Sequence, residues 1–313
     1  MTAQAQAQKP QHMPQNVIVD TDIGSDIDDA YAVLLAIFSP ELNVKGITLV
    51  HADIETRAKI TKKLLKLAGK ADVPVVGGEK YPINKDRPLF WGGHEGRGID
   101  FSDVETHASD EDATEFIART AAEKPGELTL IPVGPLTNIA LALQKYPQEM
   151  AQLKSIVCMG SIFNGFGRDA AGVEHNIAVD PEAAEIVLSS GIPILLIGLN
   201  VTMQVHLTRS QADEIGRIET PLADLMAHMT NEFFDLINKS STVMHDPLAV
   251  AAFIEPDIVE TIPVRAEVST DTAGLITYFQ EESPIRICTS VNVDRFQELL
   301  YARILDAVKR GCH

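Results

Sequence analysis

The chain contains 313 residues, of which 45% are hydrophobic and 22% are charged, a composition typical of a globular protein. Its formal net charge of −18 disfavours binding to nucleic acid or to anionic membranes, because phosphate groups are repelled by such a surface. Three widely separated cysteines, and no apolar run long enough to span a bilayer, predict a cytoplasmic protein without disulfides or membrane segments.

Short apolar runs typical of strands alternate along the chain with longer runs typical of helices. Residues 1–15 are polar and rich in Gln and Ala, which predicts a disordered tail before an ordered domain over 16–313. In chain order we expect strand 17–19, helix 30–38, strand 44–50, helix 56–68, strand 74–76, loop 80–110, helix 112–123, strand 128–133, helix 139–145, strand 155–159, loop 160–172, helix 181–190, strand 192–199, a helical region 210–240, strands within 263–295 and helix 294–309.

This alternation predicts the fold class. Strands that alternate with helices favour an α/β domain with a mostly parallel, doubly wound central sheet and right-handed crossovers. Residues 16–313 contain no repeat and no change of composition that would indicate a second domain. Because ligands in such folds bind at the carboxyl ends of the strands, we expect the active site there.

The stretch that follows the first strand is strongly acidic. Residues 20–29, DTDIGSDIDD, contain five aspartates between an apolar strand and an apolar helix. Carboxylates this close repel one another unless a cation lies among them, and oxygen-only ligands favour Ca²⁺ or Mg²⁺. Aspartate also caps helices and favours turns, which accounts for one or two of the five, such as Asp26 or Asp28. The number of carboxylates favours a metal or catalytic site.

Three later stretches add polar groups at predicted element ends. VGPLTN (133–138) ends a strand, where a backbone carbonyl could face a cation, although Gly-Pro is also an ordinary turn. EHNIAVDPEAA (174–184) places a Glu and an Asn just before a strand-like run. VMHDPLAV (243–250) places His245 beside Asp246 at a helix start, where such a pair is more often a cap and a surface histidine. Each stretch alone is a weak signal.

Together, and in this order, these stretches resemble the inosine–uridine-preferring nucleoside hydrolases. The resemblance runs from about Val17 to the VDRFQELL segment, residues 293–300. It rests on the Asp-x-Asp-x-Gly turn that leads to Asp-Asp-Ala, and on the later GPLTNIALAL, MG, E-x-N-x-x-x-DPEAA and MHDPLAV motifs. It implies a nucleoside hydrolase fold, Ca²⁺-dependent cleavage of the bond between ribose and base, a nucleoside substrate, and a homodimer or homotetramer.

The resemblance also implies the residues of a calcium site. Asp22, the second aspartate of the turn, matches the residue that binds Ca²⁺ and activates the attacking water. Asp29 and Asp246 match further calcium ligands, and Val133 matches the residue whose carbonyl completes the site. We therefore predict that both ends of the chain contribute ligands to one ion.

The same resemblance assigns the groups that face the substrate. Asp28, Glu174 and Asn176 match residues that bind the ribose, and Met159 matches a methionine near the sugar. His245 falls where many members place a histidine near the leaving base, and imidazole titrates near physiological pH. We predict that His245 stabilises the departing base.

The sequence departs from the family pattern at several points. The first turn is two residues longer than the commonest form, with Ser25-Asp26 as the additional residues. Asp53 stands where many members carry an Asn that contacts ribose, and we predict that it binds substrate. His94, in GGHEGRG, is either a second base contact or a solvated loop histidine. His175 and Arg168 also replace residue types that are common in the family.

Two other functions fit parts of the sequence. An aspartate-rich turn also occurs in metal-assisted phosphatases, although the lysine and further acids that surround phosphate in those enzymes are not found here. A non-catalytic member that binds a nucleoside or sugar is the second alternative. Base preference stays open, because Trp91, the single tryptophan, disfavours a purine held between two indoles and Asp53 alters the expected ribose contacts.

Overall fold

The computed structural model describes residues 13–89, 94–105, 108–109, 111–271 and 274–310. Its strands are β1 (Gln15–Thr21), β2 (Leu42–Leu49), β3 (Val75–Gly77), β4 (Leu128–Pro132), β5 (Ser155–Met159), β6 (Ile194–Ile197), β7 (His206–Thr208), β8 (Ser241–Val243), β9 (Val259–Pro263), β10 (Arg265–Ser269), β11 (Leu275–Phe279) and β12 (Ile285–Val291). Its helices are α1 (Asp28–Phe38), α2 (Ile54–Leu67), α3 (Ala113–Glu123), α4 (Thr137–Lys145), α5 (Pro147–Met150), α6 (His175–Val179), α7 (Pro181–Leu188), α8 (Leu199–Thr202), α9 (Arg209–Gly216), α10 (Pro221–Ile237), α11 (His245–Ile254) and α12 (Val293–Arg310).

A mostly parallel sheet forms the centre of the molecule. In the described part of the chain it has eight strands in the order β3-β2-β1-β4-β5-β6-β12-β9. Neighbouring strands run parallel except β12 and β9, which run antiparallel. The strand order reverses between β1 and β4, whose residues Asp20 and Pro132 lie opposite each other. In open α/β sheets, ligands bind beside such a reversal, at the carboxyl ends of the strands.

Buried apolar clusters cover both faces of this sheet. Successive residues of a strand point to opposite faces, and Val17 and Val19 of β1 belong to one cluster while Ile18 belongs to the other. Helices α1, α2, α11 and α12 contribute to the first cluster, and α3, α4 and α7 contribute to the second. Helices therefore pack on both faces, and the predicted α/β fold with a doubly wound sheet is confirmed.

A small antiparallel sheet sets the position of α11. Strands β7 and β8 pair with His206 opposite Val243, and α11 begins two residues later at His245. The first turn of α11 therefore follows directly from a fixed strand. A second small antiparallel sheet joins β10 and β11, with Arg265 opposite Phe279.

Some expectations are corrected or lie outside the described residues. The strand-like run predicted after Asn176 is wrong, because His175–Val179 forms α6. Gln15, placed in the tail, already belongs to β1, whereas residues 1–12 and Trp91 are not described. Among the helices that are described, none is both long and apolar enough to cross a membrane.

Candidate active site

A cavity of about 310 Å³ opens at the carboxyl edge of the sheet, next to the reversal of strand order. It brings together all of the predicted site residues except Asp53 and His94. Those in its lining are Asp22, Asp28, Asp29, Val133, Met159, Glu174, Asn176, His245 and Asp246. The sequence reading gave no site role to four other lining residues, Ser25, Asp26, His175 and Leu199.

A larger hollow, of about 1210 Å³, lies beside α2 and β3. Its charged side chains pair with one another, since Lys62 lies 3.3 Å from Glu105 and Lys66 lies 2.9 Å from Asp103. None of the predicted site residues lines this hollow. The smaller cavity, which nine of the predicted site residues line, is therefore the better candidate active site.

Three buried carboxylates converge in the smaller cavity. Oxygen atoms of Asp28, Asp29 and Asp246 all lie within 4.8 Å of one another. Asp28 and Asp29 begin α1, and Asp246 lies in the first turn of α11, whose backbone nitrogen at Asp246 donates to Asp28 Oδ2 at 3.2 Å. Thr21 Oγ1 donates a short hydrogen bond to Asp29. The structure thus groups Asp28, predicted to bind ribose, with two predicted metal ligands.

Keeping these three buried carboxyl groups ionised costs free energy when no counter-charge is present. Burial raises the pKa of Asp28. Burial, with added repulsion from neighbouring carboxylates, raises the pKa values of Asp29 and Asp246 well above the usual range. A divalent cation beside these carboxylates would offset both effects. Because the donors are all oxygen atoms, they fit a hard cation such as Ca²⁺ or Mg²⁺.

Asp22 and Val133 lie where β1 and β4 end side by side. The backbone nitrogen of Val133 donates to the carbonyl of Asp20 at 2.8 Å, which fixes the two strand ends together. A Cβ atom on Gly134 would lie 2.8 Å from Asp22 Oδ1, so this position accommodates glycine and the carboxylate fits closely against its backbone. The carbonyl of Val133 accepts from Asn176 Nδ2 at 2.7 Å and retains a second lone pair for another partner.

Asp20 lies beneath the cavity and joins three elements. Its Oδ1 accepts from Thr48 of β2 and from Asn138 Nδ2 of α4, the latter at 2.7 Å. Burial raises the pKa of Asp20 from 3.8 to about 7. No separate role was predicted for this aspartate, because nothing in the local sequence distinguishes it from the other aspartates of the turn.

Glu174 and Asn176, which lie at the start of α6, also line the cavity. Glu174 caps α6, accepting from the backbone nitrogens of Asn176 at 2.9 Å and Ile177 at 3.2 Å, and its burial raises its pKa. Asn176 Nδ2 also lies 3.4 Å from Met159 Sδ. These contacts orient one carboxylate, one amide and one thioether toward the cavity that they line.

His245 begins α11 and is oriented by a threonine. Its Nδ1 lies 2.7 Å from Thr202 Oγ1, a fully buried hydroxyl of α8. Burial lowers the pKa of His245, although the nearby Asp28 carboxylate opposes this. The imidazole is therefore held in place and favours its neutral form, with Nε2 as the ring nitrogen that a ligand can meet.

Asp53 and His94 are not among the residues that line the cavity, and their contact with substrate stays a prediction. The Asp53 carboxylate caps α2, accepting from the backbone nitrogen of Thr56 at 3.1 Å and from its hydroxyl at 2.9 Å. His94 Nε2 lies 2.9 Å from the carbonyl of Ser25 and so contacts the acidic turn from outside. Asp53 thus fixes the start of α2, and His94 contacts the acidic turn at Ser25.

Comparison with curated proteins shows relatives along nearly the whole chain. The chain is 31% identical to uridine nucleosidase 1 of Arabidopsis thaliana, with 93% of each chain covered. It is 33% identical to the pyrimidine-specific ribonucleoside hydrolase RihA of Photobacterium profundum, with 93% of this chain and 99% of the relative covered.

Solved structures show the same fold. A plant nucleoside hydrolase, PpNRh1, superposes with a TM-score of 0.83 at 26% identity, covering 93% of this chain and 99% of the other. A purine-preferring ribonucleoside hydrolase from Gardnerella vaginalis also gives a TM-score of 0.83, at 29% identity, covering 94% of this chain and 99% of the other.

The fold and the cavity define an α/β enzyme with an acidic site suited to a cation and a polar ligand. Residues 17–298 match the family model of the inosine-uridine preferring nucleoside hydrolases. The chain belongs to this family and is an N-ribosyl hydrolase, an enzyme that cleaves the N-glycosidic bond of ribonucleosides. The two alternatives drawn from the sequence, a phosphatase and a non-catalytic binder, give way to this assignment.

Proposed function

We propose that this hydrolase depends on a calcium ion at the carboxyl edge of the sheet and releases ribose and a free base. The observation that carries the proposal is the convergence of the buried Asp28, Asp29 and Asp246 carboxylates within 4.8 Å. Asp22 and the Val133 carbonyl line the same cavity and offer further oxygen atoms. Ca²⁺ accepts about six to eight oxygen ligands in flexible geometry, whereas Mg²⁺ retains several waters and is seldom held by protein alone.

Asp22 is the proposed general base. When bound, the cation would orient a water and lower its pKa. The Asp22 carboxylate lines the cavity at the end of β1 and is fixed against Gly134, so it can accept the proton of that water from a constant position. Asp22 would therefore accept the proton of the water beside the point where the strand order reverses.

Four residues are proposed to hold the ribose. Asp28, Glu174 and Asn176 line the cavity and carry groups that accept or donate hydrogen bonds to hydroxyls. Met159 lies against Asn176 and offers an apolar contact to the sugar. Carboxylates beside the ring also favour the positive charge that develops as the glycosidic bond breaks.

His245 is the proposed partner of the leaving base. Thr202 contacts Nδ1 and leaves Nε2 to donate a hydrogen bond to a base nitrogen. Because burial lowers the pKa of the imidazole, the neutral ring is the form that meets the substrate. The contact stabilises the negative charge that the base acquires on departure.

The test is ribose release from inosine, uridine, cytidine and adenosine, with the metal-free enzyme and after addition of Ca²⁺ or Mg²⁺. We expect chelation to abolish release and Ca²⁺ to restore it more fully than Mg²⁺. Full activity of the metal-free enzyme would contradict the calcium proposal. The four substrates also give the base preference, since the relatives' names include uridine, pyrimidine and purine preferences.

The family resemblance further supports a homodimer or homotetramer. Light scattering of the purified protein measures the molar mass, which we expect to be two or four times the 34.0 kDa of one chain. A mass of 34.0 kDa in solution would contradict this expectation.

A further inference from the structure

Arg57 is a fully buried arginine directly beneath the acidic turn. It lies in the second turn of α2, and its side chain is 0% exposed, which makes it one of the largest fully buried side chains described. Burying a guanidinium costs free energy unless it is paired and hydrogen-bonded, and arginine does not escape that cost by losing its proton. The contacts of the Arg57 guanidinium must therefore offset the free-energy cost of its burial.

The contacts of Arg57 join the ends of two neighbouring strands. Nε donates to the carbonyl of His51, just after β2, at 2.7 Å. Nη1 donates to the carbonyl of Ile23 at 2.9 Å, and Nη2 donates to Ser25 Oγ at 3.1 Å, both in the acidic turn after β1. Nη2 also lies 3.9 Å from Asp22 Oδ2. One planar fork thus fastens three residues of the turn to the adjacent strand end.

The segment after β2 that Arg57 holds has a strained backbone, and the acidic turn receives a further contact from outside. His51 and Ala52 have φ values of 66° and 56°, a region that residues other than glycine rarely adopt. Ser25 belongs to the two-residue extension of the turn, and His94 Nε2 holds its carbonyl from the other side at 2.9 Å. The extended turn therefore depends on side chains from outside it.

We propose that Arg57 is a positioning residue that holds the acidic turn in the shape that presents its carboxylates to the cation. This inference rests on the proposed calcium site. A positive charge 3.9 Å from Asp22 opposes cation binding by charge alone, so any gain in affinity must come from the fixed geometry of the turn. Replacing residues that orient metal ligands typically weakens metal affinity by about 10- to 100-fold.

The informative substitution is Arg57→Lys, because lysine keeps the charge and loses the planar fork. Calorimetric titration of the metal-free variant with Ca²⁺ is expected to show a Kd raised by about 10- to 100-fold. Ser25→Ala removes one acceptor of the fork and is expected to raise the Kd by about threefold. Melting in chelator and circular dichroism establish that each variant is folded.

The matched control is Leu64→Ala, a truncation in the same helix whose side chain packs in the apolar core. It is expected to lower the melting temperature and to leave the Kd for Ca²⁺ within about twofold of the wild type, because an apolar side chain donates no hydrogen bond to the turn. Folded Arg57→Lys and Ser25→Ala variants with unchanged Kd values would overturn the inference. Should Arg57→Lys not fold, the Ser25→Ala result alone decides. A wild-type protein that binds no Ca²⁺ would instead overturn the proposed function.

Discussion

Asp22 is restrained at both carboxylate oxygens. Oδ1 lies against the backbone at Gly134, where an added Cβ would approach it to 2.8 Å, and Oδ2 lies 3.9 Å from Arg57 Nη2. An asparagine has the same shape and can occupy this space, but it cannot accept a proton from water. The exchange of Asp22 for Asn therefore separates the chemistry of the residue from its packing.

For Asp22→Asn we predict a fall in kcat of about 10²- to 10⁴-fold, the usual contribution of a general base. The variant should melt no lower than the wild type in chelator, because the amide removes a charge from a crowded acidic cavity. Ribose release and thermal melting measure the two effects. Near-normal turnover would remove Asp22 from its proposed role.

His245→Ala tests the stabilisation of the leaving base. We predict that nucleosides are slowed by about 10²- to 10³-fold, the usual cost of removing a donor that stabilises a developing negative charge. p-Nitrophenyl riboside should be slowed far less, because p-nitrophenolate is a stable anion without such a donor. The comparison of kcat values for the two substrates in one variant is internally controlled. Equal slowing of both would argue against a contact between His245 and the leaving base.

At the level of elements, the turn between β4 and α4 sets how closely two strand ends approach. Gly134 follows Val133, and an added Cβ would lie 2.8 Å from Asp22 Oδ1 and 2.9 Å from Val50 Cγ1. Neither neighbour can move freely, since both belong to the packed strand ends. The absence of a side chain at this position is therefore part of the geometry of the site.

Gly134→Ala is predicted to lower stability by about 1–3 kcal/mol through overpacking and to reduce kcat, because Asp22 must shift. The control is Gly69→Ala at the end of α2, where φ is +66° and a Cβ meets no atom within 4 Å. That substitution should destabilise through backbone strain and leave kcat unchanged. A Gly134→Ala variant with normal kcat would show that Asp22 tolerates displacement.

The sequence predicted most elements and failed where a side chain outweighs local propensity. His175–Val179 contains β-branched residues that favour a strand, but Glu174 accepts from two backbone nitrogens and starts a helix instead. Asp53, which matches a ribose-binding position, caps α2 in the structure. Capping and ligand binding call for the same residue types, so the pattern alone does not separate them.

At the scale of the whole molecule, the site exists because distant segments meet at one point. The acidic turn follows β1, Val133 follows β4, and Asp246 begins α11, more than 200 residues from Asp28. Sequence motifs predicted which side chains follow the strands, and hence nine residues that the cavity brings together. They did not predict that Asp28 lies closest to Asp29 and Asp246, because that distance depends on how α1 and α11 pack. The role of Arg57 was also not predicted, because it lies in a helix that is rich in lysine and looked solvent-exposed on that side.

The buried acids predict how the stability of the metal-free protein depends on pH. Burial raises the pKa of Asp20 from 3.8 to about 7, and it raises the pKa values of Asp28, Asp29 and Asp246. Between the ordinary pKa of 3.8 and the folded value of about 7, the folded protein binds more protons than the unfolded chain. Its free energy of unfolding therefore falls as the pH rises through this range.

Melting in chelator should therefore occur at a lower temperature at about pH 7.5 than at about pH 5. Ca²⁺ should reverse most of this loss at the higher pH, since it binds the ionised carboxylates. Matched scans with chelator and with Ca²⁺ measure the difference. A melting temperature that stays level or increases with pH in chelator would contradict the assignment of buried, uncompensated acids.

The most direct test of the calcium site is long-wavelength X-ray diffraction from crystals of the active enzyme grown with Ca²⁺. We predict an anomalous peak among Asp22, Asp29, Asp246 and the Val133 carbonyl, at about 2.3–2.6 Å from their oxygen atoms. The peak should disappear from crystals soaked in chelator. An active enzyme whose crystals show no ion in this cavity, or an ion bound elsewhere, would contradict the proposed calcium site.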